Sequence, residues 1–335
     1  MRIAFVSNAE LVNSNYRTYM PMLELERRGH EIRFNKRGDV RFRVGDLVRS
    51  DVVHIHRYSD PEMVQLVVQL QRAGVGVLWD NDDDVTAIPK ELPNYRKLGG
   101  AGGNASAQAA IRRITTTVDV VSTPSDVLAS QFQEMGAKDV RVLENCLPSG
   151  RSLVSPGRAG WPVIAWMAGL EHQLDYQALR LKPILEQLLA EHEDLRVMSI
   201  GLGLGLATSR YEHHPIVDFG ELPRVLSGAT IAIAPLADIP WNRARSNIKL
   251  KEYGAAGLPW LASAVGPYLG LGEKEGGRLV AEGDWYDALD RLIRDERGRR
   301  KLAKRAAKWA KGQTIDQHVG EWLRAYEDAA ARARS

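Results

Sequence analysis

Cysteine is all but missing from this chain: Cys146 is the only one in 335 residues. One thiol cannot close an internal disulfide and offers no thiolate cluster for a structural zinc, so the residue reads as a small buried hydrophobe in a protein suited to a reducing cytoplasm. Long apolar runs are missing too. No stretch of eighteen apolar residues occurs, so no membrane-spanning helix is expected. The opening MRIAFVSNAE lacks the long apolar core and small-residue cleavage site of a secretory signal, and reads as a first β-strand. Nor is there a large excess of one charge: 45 Lys and Arg face 42 Asp and Glu, for a net charge of +3. The excess is local instead. Residues 291–311 hold ten basic residues against two acids, and residues 33–49 hold six against two. Such stretches are either solvated helix faces or surfaces for an anionic partner: lipid headgroups, a lipid phosphate or nucleic acid.

What the chain does have is repeated alternation. Short apolar segments (MRIAFVS, EIRF, DVVHIH, GVLWDND, DVVSTPS) alternate with amphipathic helical ones, such as PEMVQLVVQLQRAG with Pro61 at its start and Gly74 at its end. Strands alternating with helices predict βαβ units and a parallel sheet buried on both faces. A Ser/Gly/Pro/Arg stretch at 149–160 has linker chemistry, after which the alternation restarts. PVIAWMAG, LRVMSIG, VDFG, TIAIAPL, PWLASAV and GGRLVAEG are the expected strands of the second half. A helix with an internal Pro183 and a long basic helix broken near Gly298 lie among them. The expected organisation is a Rossmann-like domain over 1–148, a linker over 149–160, a second over 161–314, and a terminal helix over 315–335 returning to the first. Ligands of such sheets sit at the carboxyl ends of the strands, so a cleft between two facing halves is the expected site. The Gly-rich segment 94–108 reads as a mobile loop over it; as a phosphate loop it lacks Lys-Ser/Thr and a preceding strand.

The most informative stretch is PLADIPWNRARSNIKLKEYGAAGLPWLAS, residues 235–263. An apolar strand ends at Leu236, and a polar loop leads to a helix expected to be capped by Ser246. Asn247, Lys249 and Glu252 project from its first turns. A helix N-terminus beside a lysine is an anion site. A carboxylate three residues on can grip a ribose diol. Together they describe a nucleoside diphosphate, although an i,i+3 Lys–Glu pair on an ordinary amphipathic helix gives the same spacing.

The pattern Ser-x-x-Lys-x-x-Glu-Tyr-x-Ala-x-Gly-x-Pro, from Ser246 to Pro259, resembles the donor-binding signature of the family-4-type retaining GT-B glycosyltransferases. The longer Pro-Leu-x-Asp-x-Pro-x-Asn-x-x-x-Ser-Asn-x-Lys, which includes Asp238 and Asn242, resembles a branch found in surface-polysaccharide clusters and phages. The resemblance implies an α/β GT-B fold. It implies transfer of a sugar from a nucleoside-diphosphate sugar to a hydroxyl acceptor, with retention and with neither metal nor cofactor. Glu252 would hold the ribose and Lys249 the diphosphate. Many members carry Glu-x7-Glu, but Ala244 stands at the first position, so the donor-sugar contact is either absent or supplied by Asp238 or Asn242. After Gly169, His172 and Gln173 replace the family's usual Arg and Lys, leaving Arg243 or Arg245 as the second cation.

Elsewhere, NSNYRTYMPMLELERRGH resembles the family's first loop and helix and sets Tyr16 and Arg17 toward the cleft. DVVHIHR brings His56 and Arg57 to a strand end, where His56 joins Lys249 and Arg243 as a catalytic candidate. His54, two residues earlier, faces the same way. WDNDDDV resembles a loop of the same branch. Its Asp82, Asp83 and Asp84 are open to three readings: a divalent cation, acceptor hydroxyls, or turn capping. The expected role is acceptor binding, without a metal. Trp79, Trp166 and Trp241 flank the expected loops and read as core before sugar stacking. The resemblance leaves the acceptor open: a lipid-linked glycan at the inner membrane face, or less readily nucleic acid. Rival classes are a degenerate nucleotide-sugar-binding subunit and a sugar-nucleotide epimerase or hydrolase.

Overall fold

The structure is a computed structural model, and it describes residues 1–7, 14–36, 44–92, 95, 103–150, 161–215 and 217–335. Most of the Gly-rich segment 94–108, residues 151–160 of the expected linker and part of the basic stretch 33–49 lie outside the described residues. Two compact units form. One comprises Met1–Ser149, Ala244–Ser246 and Thr314–Ser335; the other comprises Gly150–Arg243 and Asn247–Gln313. Among the described residues no helix is long and apolar enough to cross a membrane.

The first unit is built on six parallel strands: β1 (Arg2–Ser7), β2 (Glu31–Lys36), β3 (Val52–His56), β4 (Gly76–Asp80), β5 (Val120–Thr123) and β6 (Val140–Val142). Their order is β2-β1-β3-β4-β5-β6. The chain steps from β1 to one side, then returns to the other, so β1 and β3 flank the point where strand order reverses. One sheet face packs Val53, Ile55, Val77 and Trp79 against the 61–72, 104–117 and 126–134 helices. The other packs Ile3, Phe5, Leu78 and Val120 against the terminal helix Ile315–Arg332. That helix runs so close to β4 that a Cβ on Gly76 would lie 2.4 Å from the Ala329 carbonyl carbon. Cys146 is buried in the same core, as a lone apolar thiol should be.

His54 lies inside this second interface. It is 0% exposed. Its Nδ1 is 3.0 Å from the Tyr326 hydroxyl, its ring stacks on Trp322, and its Nε2 has no hydrogen-bond partner. Burial pulls its pKa down from 6.5 to about 3. The folded state therefore holds His54 neutral while the unfolded chain protonates it below about pH 6.5. Stability is complete above the unfolded value and falls as pH drops toward the folded one. We expect a loss of about 2 kcal/mol between about pH 7.5 and about pH 5. Urea denaturation at the two pH values, with wild type and a His54→Phe/Tyr326→Phe variant, checks this; an equal loss in the variant would remove His54 as the cause.

The second unit repeats the plan with β7 (Val163–Ala168), β8 (Arg196–Gly201), β9 (Tyr211–His214), β10 (Ile231–Ala234), β11 (Trp260–Ser263) and β12 (Gly277–Val280). The order is β12-β11-β10-β7-β8-β9, all parallel, with the reversal between β7 and β10. The sequence puts a strand on VDFG; the strand is instead Tyr211–His214, a polar edge strand whose side chains show no apolar alternation. The helix expected to carry Pro183 internally is two helices, Gln173–Ala178 and Leu181–Glu191. Pro183 has no N–H for the preceding turn, and Arg180, at φ 49°, turns the chain between them. The long basic helix breaks at Asp295, whose carboxylate accepts the Gly298 N–H at 2.7 Å and so starts a new helix at Glu296.

Candidate functional sites at the strand-order reversals

In the second unit, β7 ends in Gly169 and a single 3-10 turn, Leu170–His172. The Glu171 carboxylate folds back over Gly169, within 2.2 Å of where a Cβ would stand, so a larger residue there would have to displace that side chain. His172 is 1% exposed. Its Nδ1 lies 2.7 Å from Asp175 Oδ2, and its Nε2 lies 2.5 Å from Lys249 Nζ. An ammonium can only donate and a carboxylate can only accept. The imidazole is therefore neutral, with its proton on Nδ1 and its Nε2 lone pair toward Lys249. Asp175 is itself held from the β10 side. Its Oδ1 accepts the Ala237 N–H at 2.8 Å and an Asn242 amide hydrogen at 2.6 Å. A continuous chain thus joins the loops after β7 and β10 to the first turn of the Ile248–Ala255 helix.

That helix begins one residue later than expected. Asn247 occupies the cap position without a side-chain cap bond. Ser246 belongs to the first unit, where its Oγ accepts from Asn145 Nδ2 at 3.0 Å, and it does not occupy the cap position. Arg245, in the same short segment, is half-buried. Lys249 is half-buried, whereas Glu252 and Lys251 are each 1% exposed. Tyr253 anchors the helix: its hydroxyl donates to the Ile233 carbonyl at 2.9 Å and accepts the Met167 N–H at 3.0 Å, tying β10 to β7. Arg243 and Asp238 form an exposed ion pair with each other, at 2.6 Å.

In the first unit, Ser7 at the end of β1 meets His56 at the end of β3, Oγ to Nδ1 at 3.2 Å. His56 Nε2 lies 3.3 Å from Asp82. Arg57, at φ 69°, folds back so that its guanidinium reaches Asp82 at 2.5 Å and Asp83 at 2.7 Å. Burial opposes the Asp82 charge, but Arg57 and His56 more than offset it and hold the carboxyl far below the usual range. The three aspartates do not converge. Asp84 turns away to accept from Thr86 at 2.5 Å and from Gln131 at 3.0 Å, a turn-capping role. Among the described residues the one trio of such ligands within reach of a common ion is Glu191, His192 and Asp290, where Arg294 already occupies Asp290 at 2.9 Å.

Arg17 is 0% exposed and sits on a π-helical turn, Asn15–Tyr19. Its guanidinium forms two bonds to Asp80, bonds the Leu143 carbonyl and Asn145 Oδ1, and stacks over Trp322. It is placed as an internal tie, not a group directed at a ligand. Tyr16 is buried beside it. Trp79, Trp166 and Trp241 are buried, in agreement with core packing. The residues the sequence reading passes over are Asp175 and Asp80. Each had a signal: Asp175 follows His172 by three residues at a helix start, and Asp80 ends an otherwise apolar strand, where a carboxylate demands a cation.

No family model matches the chain, and no curated protein matches its sequence. Solved structures do match its fold. Sucrose-phosphate synthase from Thermosynechococcus elongatus superposes with a TM-score of 0.74 at 14% identity, covering 99% of this chain and 100% of that one. HepE from Anabaena in complex with UDP-glucose gives 0.70 at 13% identity, over 97% of this chain and 100% of that one. A glycosyltransferase from Rickettsia africae gives 0.68 at 12% identity, over 98% of each. The chain has the GT-B fold. In this GT-B chain the two reversal points carry different chemistry: a lysine–histidine–aspartate chain in the second sheet, and a histidine–arginine–aspartate cluster in the first.

Proposed function

We propose that the protein is a glycosyltransferase that moves a sugar from a nucleoside-diphosphate sugar to a hydroxyl acceptor, with retention at the anomeric carbon and without a metal ion. The observation that carries this reading is the Lys249–His172–Asp175 chain at the β7/β10 reversal. It holds an ammonium in the first turn of a helix, at the carboxyl ends of a parallel sheet, where the fold class takes its ligands. Charge developing on a departing diphosphate would be met by Lys249 and by the N–H groups of that turn. Glu252, one turn on, would take the ribose diol. The leaving phosphate would assist the incoming hydroxyl on the same face of the sugar, which yields retention. The acceptor belongs with the first unit, where Arg57 presents Asp82 and Asp83 beside His56. Support comes also from the shared fold with a protein solved with UDP-glucose.

The test is a thermal-shift screen of nucleotide sugars, then mass spectrometry of products with and without EDTA. Transfer that survives chelation supports metal-independent glycosyl transfer, and the anomeric proton coupling of the product by NMR reports retention or inversion. Free-sugar release alone would make the protein a hydrolase, and binding without turnover would make it a donor-binding subunit. For the nucleotide site, Glu252→Ala is expected to weaken binding of the cognate nucleoside diphosphate by about 1.5–3 kcal/mol, the scale of a lost hydrogen bond to a charged group. Calorimetric titration measures it, and unchanged affinity would remove Glu252 from the site.

A further inference from the structure

The Glu296–Ala310 helix turns one face to its own unit and another to solvent. Leu302, Ala306 and Ala310 are buried on the inner face. Two of its cations do work inside the protein. Arg299 Nη1 binds the Leu292 and Ile293 carbonyls at the end of the preceding helix, and Arg305 pairs with Glu273 at 3.1 Å. A third, Arg300, pairs with Glu296 at 2.5 Å. The remaining four, Arg297, Lys301, Lys304 and Lys308, are exposed and form no ion pair among the described residues. Their spacing of four, three and four residues places them within about 60° of one another around the helix, in a row about 16 Å long. The structure separates the cations committed to the fold from a straight outward row.

We propose that this row is a docking surface for an anionic lipid bilayer. The partner follows from the form of the charge. The row is narrow and lies on the face of the helix opposite the buried Leu302, Ala306 and Ala310, so it offers charge to a flat surface and no apolar group to a groove. Three of the four cations are lysines, compact charges that suit diffuse headgroup attraction, whereas phosphate and base recognition in nucleic acid favours the planar fork of arginine. No exposed aromatic residue lies in the row to stack on a base, since Trp309 packs against the core of its unit. The helix inserts nothing, so binding is electrostatic: each cation near an anionic surface raises partition about fivefold, and salt screens it.

The test is co-sedimentation of the whole chain with vesicles of three parts phosphatidylcholine to one part phosphatidylglycerol, and with pure phosphatidylcholine. Binding is expected only to the anionic vesicles, and it should weaken as salt rises. Lys301→Gln/Lys304→Gln/Lys308→Gln should lower partition by about a hundredfold, about fivefold for each lysine. Glutamine keeps the helix, and circular dichroism verifies that it has. The charge-preserving Lys→Arg triple variant should bind like wild type. Lys182→Gln, an exposed lysine on another helix paired with Glu186, should bind unchanged. The proposal is overturned if anionic vesicles do not bind, if the glutamine variant binds like wild type, or if duplex DNA is bound more tightly than the vesicles at equal salt.

Discussion

Lys249→Ala is expected to lower turnover by about a hundredfold to a thousandfold, the usual cost of removing one group that stabilises developing negative charge. The geometry explains why the effect should fall on kcat more than on KM. Lys249 Nζ is already placed before any ligand binds, 2.5 Å from His172 Nε2. His172 is fixed by Asp175, and Asp175 by the Ala237 N–H and Asn242. An ammonium located in this way costs little to bring to the leaving phosphate, and its attraction grows as the bond to the sugar breaks. Stability should change little, because the side chain is half-buried and belongs to the first turn of its helix. Lys249→Arg keeps the charge, but its larger planar head cannot occupy a point so close to the imidazole, and it should retain only part of the rate. Steady-state kinetics with circular dichroism on the same samples decide the matter. Near-normal kcat in Lys249→Ala would leave Lys249 a surface residue of an amphipathic helix.

The strands of both sheets are legible in the sequence because most are short apolar runs closed by Gly, Pro or polar residues. Where the reading departs from the structure, a local rule has been overridden by something it does not contain. Tyr211–His214 is a strand because β8 supplies a partner for its backbone, not because its side chains alternate. Ser246 has the chemistry of a helix cap, but Asn145, about a hundred residues earlier, takes its hydroxyl. Asp295 ends a basic helix that composition alone runs on to Gly298. The candidate site divides in the same way. Lys249, His172 and Asn242 stand out individually by motif and position. Their convergence through Asp175 depends on β7 and β10 lying side by side, which strand order decides. In the aspartate run, chemistry allows three roles. The structure gives Asp84 the turn-capping role, while Asp82 and Asp83 pair with Arg57, a contact that the aspartate run by itself does not announce.

Arg17→Met is expected to destabilise the first unit by about 3–5 kcal/mol, the cost of stranding one partner of a buried ion pair. Both side chains are 0% exposed. Burial works against the Asp80 carboxylate, yet Arg17 more than offsets it, so the pKa stays below the ordinary value. Ser122 also donates to Asp80, at 2.5 Å. Without the guanidinium, Asp80 must stay charged in an apolar interior or take up a proton, and the Leu143 carbonyl and Asn145 lose their donor as well. The pair should therefore matter most where Asp80 is ionised. A depressed folded pKa contributes stability that is present above the unfolded value, near pH 4, and is lost as pH falls through the folded one. The gap between wild type and Arg17→Met should accordingly be full at neutral pH and shrink in acid. The double variant Arg17→Met/Asp80→Leu should recover much of the loss, since apolar replacement of a whole buried pair is often neutral. Hydrogen exchange of the β3 and β4 amides reports on this unit separately from the other. Unchanged protection in Arg17→Met would show that the interior tie contributes nothing, and would return Arg17 to the list of residues available to a ligand.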